Sequence, residues 1–207
     1  VTNIMFKIKS KKNFIFVERN PLSLTKMTEF FIPRLKDKIK ARKDIKILTH
    51  DYGSQKLYKD VFGIDITLTP KISLSEKMPN EDKLRHIGVF GVYRNTNAAC
   101  MISMYDVFKK FPKIDFHIHD PSGAIQKRDK KLLKGIKNIN FFEFEFNLSK
   151  RIASFQAVIN HLFPNLYKYL SSGILCETIA IGRPLITSKN TSTSHYIEKY
   201  KNGLLYD

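Results

Sequence analysis

The sequence predicts an α/β protein with a mostly parallel sheet flanked by helices. Short apolar runs rich in Ile, Val and Phe alternate along the chain with amphipathic stretches of helical period. Gly, Pro and Asn stand at the joints, and no repeat of fixed short period is visible. Parallel strands need this alternation, because each crossover helix covers one face of the sheet.

Residues 3–8 and 13–18 are β candidates, and Asn20-Pro21 marks a turn. A helical stretch from about Ser23 meets Pro33, which ends it, kinks it or opens a second helix; Ile32, Leu35 and Ile39 keep helical spacing. Residues 44–49 (DIKILT) form a strand. Residues 54–62 form a helix with Leu57 and Val61 on one face, stopped by Gly63. A strand at 65–69 follows, and the polar residues 70–82 read as a linker. A second series opens with a strand at 86–92. Thr96 or Asn97 caps a helix to about Phe111, with Met101, Met104 and Phe108 as its apolar stripe. A strand at 114–119 leads into Asp120-Pro121-Ser122-Gly123, and a short basic helix runs to about Gly135. In a strand at 138–146, Phe142, Phe144 and Phe146 share one face and Glu143 and Glu145 the other. After a short helix come a strand candidate at 157–163, a helix at 176–181 stopped by Gly182, and a strand at 185–188. A helix at 194–200 ends at Asn202-Gly203, and residues 204–206 open a last strand.

A chain of 207 residues with 43% hydrophobic content supports one large domain or parts of two. No run approaches the roughly 20 apolar residues of a bilayer span. Residues 1–10 lack the basic, apolar and small-residue order of a secretory signal, so the expectation is a cytoplasmic protein, at most peripheral to a membrane. The net charge of +17 favours anionic partners: nucleic acid, an acidic membrane surface or phosphorylated substrates. The densest basic stretch, 34–46, has the spacing of a solvated helix face, and no zinc-finger or RNP-like motif accompanies it, which disfavours nucleic acid. Cys100 and Cys176 form no ligand pattern and sit in apolar stretches, so both are expected as buried free thiols. His117 and His119 share a strand face, but no third ligand goes with them or with His161 and His195, and no metal is expected. His50-Asp51 reads as a strand-end turn.

The segment 171–207 carries Gly173, Glu177, Ala180, Gly182, Pro184 and Ile186 at fixed offsets, with Gly203-Leu204-Leu205 beyond. This resembles the retaining GT-B glycosyltransferases of the "glycosyl transferases group 1" (family 4-like) type. Their C-terminal donor domain carries a pattern like E-G-F-G-x-x-x-x-E-A-x-A-x-G-x-P-V-I, followed by G-L-L. Elementary chemistry suits the pattern: a glycine before a helix lets backbone approach a phosphate, and the helix start offers N–H groups and a positive dipole end. The run GVFGVYR at 88–94 resembles the first strand of that domain and its turn, where an Arg binds the donor diphosphate. Residues 46–64 resemble the end of an acceptor-side domain.

The resemblance implies a Rossmann-like GT-B architecture. A partial N-terminal acceptor-side domain and linker would occupy 1–82, and a nucleotide-sugar-binding domain, truncated at its end, 83–207. It implies transfer of a sugar from a nucleotide-diphosphate donor to a glycan or lipid-linked acceptor, with retention, in cell-surface polysaccharide synthesis and without a cofactor. Gly91 and Arg94 would face the diphosphate, Gly173, Ile174 and Leu175 would form the helix start, Glu177 would take the ribose hydroxyls, and Thr178 would touch a phosphate. Asp120 would line the donor cleft, and Phe144 and Glu145 would lie in the loop that holds the base. No catalytic residue is assigned. The chain departs from the pattern at three places: Tyr169 stands for the first Glu, no Lys follows Arg94, and His195 replaces the Glu of the last helix. These departures keep open a non-catalytic, degenerate nucleotide-sugar-binding module. A basic nucleic-acid-binding α/β protein rests on charge alone.

Overall fold

The computed structural model describes residues 14–18, 37, 40–41, 45–69, 85–91, 99–129, 131–143, 147–169 and 172–207. The expected strand at 3–8, most of the helical stretch at 23–39, the linker at 70–82, the capping Thr96 or Asn97, and Phe144 to Phe146 lie outside the described residues. The chain divides into two compact units, Val1–Ile72 with Leu166–Ser171, and Ser73–Asn165 with Ser172–Asp207.

In the smaller unit, strands β1 (Phe14–Glu18), β2 (Ile45–Thr49) and β3 (Thr67–Leu68) run parallel in the order β1-β2-β3. Helix α1 (Tyr52–Leu57) continues as a π-helical turn, Tyr58–Phe62, and Gly63 closes it in the left-handed conformation. The helix starts two residues before the expected Ser54 because the Asp51 carboxylate accepts from Gly53 N at 2.8 Å and caps it. Ile47, Leu57, Tyr58, Phe62 and Ile66 form this unit's core.

The larger unit is a fully parallel sheet. Its elements are β4 (His86–Phe90), α2 (Ala99–Lys110), β5 (Asp115–His119), α3 (Ala124–Asp129), β6 (Ile139–Phe142), α4 (Leu148–Ala153), β7 (Ala157–Asn160), the first two residues of α5 (Pro164–Tyr167), α6 (Gly173–Ile181), β8 (Leu185–Ser188), α7 (Ser192–Tyr200) and β9 (Gly203–Tyr206). The strand order is β6-β5-β4-β7-β8-β9. Ile87, Val89, Phe116, Ile118 and Ile159 pack on Met104 and Phe108 of α2 and Ile125 of α3. On the opposite face, Phe90, Val158 and Leu185 pack on Ile152 of α4, Leu175 and Ile181 of α6, and Ile197 of α7. Strands covered on both faces read as continuous apolar runs, which is why β4 and β7 stand out in the sequence. Each fully buried Phe or Ile contributes about 1.5–3 kcal/mol. Asn138 ties the layers together, its amide donating to the carbonyls of Phe108, Phe111 and Ile114 at 3.1, 3.0 and 2.9 Å.

Several boundaries differ from expectation. The strand expected over 157–163 ends at Asn160, because residues 161–163 leave the sheet toward α5 while Leu162 stays buried. Among the described residues the strand expected over 138–146 is Ile139–Phe142. The basic helix is Ala124–Asp129, followed by turns to Gly135. Helix α6 begins at Gly173 rather than Cys176, and α7 at Ser192, where Thr191 caps it. Cys176 of α6 forms no disulfide and is half-buried rather than buried.

Candidate functional site

Strands β4, β5 and β6 extend the sheet in one direction and β7, β8 and β9 in the other. The order therefore reverses between β4 and β7. In open α/β sheets the crevice outside the C-terminal strand ends at such a reversal is where ligands bind. Gly91 follows β4 there, Asn160 ends β7, and His161 follows it. The two strand ends are held together by His161 N, which donates to Phe90 O at 3.0 Å. They approach closely: a Cβ on Gly91 would lie 2.5 Å from His161 O and 3.2 Å from Asn160 Oδ1.

Helices α4, α6 and α7 each return antiparallel to the strands, so all three start at this edge. The starts of α6 and α7 differ. At α7, Thr191 Oγ1 accepts from Ser194 N at 3.2 Å and donates to Ser188 O at 3.1 Å, so the first turn is already capped. At α6, Ser172 has extended backbone and makes no side-chain capping bond, and Gly173 is exposed, with no atom of the described residues within 4 Å of a built Cβ. Leu175 N bonds back to Ser172 O at 3.1 Å. Among the described residues no side chain caps the first N–H groups of α6, and with the positive dipole end this arrangement suits an anion.

Glu177 lies in the second turn of α6 rather than at its start, because the helix begins at Gly173. Its Oε2 accepts from Ser149 Oγ of α4 at 2.8 Å. Thr178 is 0% exposed and its hydroxyl donates to Ile174 O at 2.6 Å, inside the fold. Leu175 is a core side chain, so only its backbone is near the helix start. Asp120 is 0% exposed at the end of β5; its Oδ2 accepts from Gln126 N at 3.0 Å, and its Oδ1 has no partner among the described residues. Arg94, Phe144 and Glu145 lie outside the described residues. Tyr169 belongs to the smaller unit, where its hydroxyl donates to Asp60 at 3.4 Å.

Sequence reasoning missed Asn160. It is 1% exposed, and neither Oδ1 nor Nδ2 has a partner among the described residues. An Asn ending an otherwise apolar strand, AVIN, was the available signal. His161 stacks on Tyr206 with ring centres 5.9 Å apart, and its Nδ1 shares a 2.5 Å hydrogen bond with the Tyr206 hydroxyl. Burial pushes the His161 pKa below the usual histidine value. His195 is lowered too, by burial first and then by the Lys199 charge. No group of three or more metal-ligating side chains occurs among the described residues, and none of their helices is long and apolar enough to cross a membrane.

No family profile and no curated protein matches the sequence. Solved structures do match the fold. WaaG, a glycosyltransferase involved in lipopolysaccharide biosynthesis, aligns with 95% of this chain at TM-score 0.60 and 12% identity. TarM aligns with 98% at TM-score 0.66 and 16% identity. The fold is that of the GT-B glycosyltransferases. A third GT-B structure, the lipopolysaccharide outer core galactosyltransferase WaaB, aligns with 99% of the chain at TM-score 0.54 and 16% identity. The chain spans 62%, 42% and 64% of the WaaG, TarM and WaaB chains. Its GT-B-like sheet brings Gly91, the open start of α6 and the Glu177–Ser149 pair to one edge of the larger unit.

Proposed function

We propose that the larger unit binds a nucleotide-diphosphate sugar, as the donor side of a glycosyltransferase acting on a glycan or lipid-linked acceptor in cell-surface polysaccharide synthesis. The observation that carries this is the uncapped start of α6 at the sheet reversal, with a carboxylate one turn further in. The helix start meets the diphosphate with N–H groups and a favourable dipole. Glu177, steadied by Ser149, accepts the ribose hydroxyls. Arg94 adds a bidentate phosphate contact. As the sugar departs, charge grows on the diphosphate, and these fixed donors stabilise it without reorganising. The protein supplies that charge itself, so neither cofactor nor metal is part of the proposal. Retention, a cytoplasmic location and docking at an anionic membrane surface belong to the same reading. TarM of S. aureus was captured with UDP and α-GlcNAc-glycerol, which makes UDP sugars the first donors to try.

The test is a thermal-shift screen with UDP, GDP, ADP and their sugar conjugates. A ligand that binds the native state raises the melting temperature by mass action. One nucleotide is expected to raise it, with the rise lost in Glu177→Ala; no rise with any nucleotide refutes the reading. A second reading, a non-catalytic binding module, is favoured by Tyr169, whose hydroxyl cannot replace a carboxylate. Nucleotide binding without donor hydrolysis or transfer supports it, and turnover excludes it.

A further inference from the structure

On the donor-binding reading proposed above, we infer that the Asn160 side chain binds a hydroxyl of the donor's sugar, using both its amide N–H and its carbonyl oxygen. Asn160 ends β7 at the sheet reversal, paired with Phe90 of β4 on one side and Thr187 of β8 on the other. Its backbone is fixed: Thr187 Oγ1 donates to Asn160 O at 2.9 Å. Side chains alternate along a strand. Asn160 therefore shares a face with Val158, which packs in the same core as Leu175 of α6. The amide lies on the side of the sheet that α6 covers, at the edge where α6 begins.

Both polar atoms of this amide are buried without a partner among the described residues. An unpaired buried polar group destabilises a fold by about 1–3 kcal/mol. Leucine has nearly the same shape and would avoid that cost. The neighbouring Gly91 keeps side-chain atoms away, since its own Cβ would sit 3.2 Å from Asn160 Oδ1.

The chemistry of the amide selects the ligand group. Phosphate oxygens only accept, so a diphosphate would satisfy Nδ2 and leave Oδ1 facing negative charge. A sugar hydroxyl both donates and accepts, and satisfies both atoms. At 1% exposure the amide is closed to bulk water in the unliganded chain, so binding requires the lining to give way by about the width of one hydroxyl.

Asn160→Leu and Asn160→Ala, in the full 207-residue chain, separate this role from a structural one. Melting temperatures are measured without ligand, and affinities by calorimetry for UDP, GDP, ADP, UDP-glucose, UDP-N-acetylglucosamine, GDP-mannose and ADP-glucose. The expected results are an unliganded Asn160→Leu at least as stable as the parent, bare-nucleotide affinity unchanged, and about tenfold or more loss of the sugar conjugate's added affinity in both variants. Retention of that increment overturns the inference. So does a parent that binds conjugate and bare nucleotide equally, or loss of fold in both variants. A parent that binds no nucleotide overturns the donor reading itself, a result visible before any variant is made.

Discussion

Gly91 and Gly135 form a natural controlled pair for testing the close approach at the sheet reversal. Their φ angles are +88° and +89°, so an alanine meets the same backbone strain at either position. Their surroundings differ: no described residue lies within 4 Å of a Cβ at Gly135, whereas at Gly91 it would meet His161 O at 2.5 Å. Left-handed backbone costs an alanine about 1–2 kcal/mol, partly offset by reduced freedom of the unfolded chain, about 0.4–1 kcal/mol. Gly135→Ala should therefore destabilise the larger unit by about 1 kcal/mol. At Gly91 the Cβ must also retreat by about 0.5 Å from a carbonyl whose residue is hydrogen-bonded to Phe90, and overpacking of this kind costs about 1–3 kcal/mol more. Both positions lie in the same unit, so one urea transition followed by far-UV circular dichroism reports both. Gly91→Ala should shift the midpoint clearly further than Gly135→Ala, with the slope unchanged. Equal shifts would show that β4 and β7 do not approach at His161 as described, and would remove the geometric basis of the site.

Asn138→Ala removes an amide that serves three carbonyls at the end of α2 and the start of β5. A loss of about 2–3 kcal/mol is expected by urea titration, because buried acceptors lose their donor; a change below about 0.5 kcal/mol would contradict the role. The lowered His161 pKa gives a pH dependence of defined sign. Between the ordinary value of 6.5 and its depressed folded value, the unfolded chain binds more protons, so stability falls as pH drops below 6.5 and is unaffected above it. His161→Gln should flatten that slope in denaturation curves taken from pH 7.5 to 5, and an unchanged slope would assign it elsewhere.

The parallel sheet was legible because burial on both faces writes itself into composition: IGVF and AVIN are apolar at nearly every position. Boundaries failed where burial and hydrogen bonding part company. Leu162 is core although the chain has already left the sheet, so the apolar run overstates β7 by three residues. Helix α6 failed for a related reason. Packed on the sheet beside α4, it is apolar around most of its circumference, so no polar stripe marks where it begins. The Gly173–Glu177 spacing was readable because it is local, one helical turn. Asn160 was readable only as a polar end to an apolar strand; its significance lies in hydrogen bonds it lacks among the described residues, which only the assembled strands β4, β7 and β8 reveal.

The two helix starts at the C-terminal edge of the sheet make opposite statements about anions, and one substitution separates fold from the proposed function there. At α7, residues 191–194 are all buried and Thr191 Oγ1 already accepts from Ser194 N, so an anion gains less at that end. At α6 the first residue is an exposed glycine, with no described residue within 4 Å of a Cβ placed there. Glycine disfavours helix by about 0.8–1.0 kcal/mol relative to alanine in an interior position, and somewhat less in the first turn. Gly173→Ala meets no neighbour among the described residues and no left-handed backbone, so stability should stay level or rise by a few tenths of a kcal/mol. A diphosphate seated on the helix start needs the space that the new methyl group fills. The variant should therefore melt no lower than the parent yet bind nucleoside diphosphate about tenfold or more weakly, a combination that damage to the fold cannot produce. Unchanged affinity in a stable Gly173→Ala would move the diphosphate off α6.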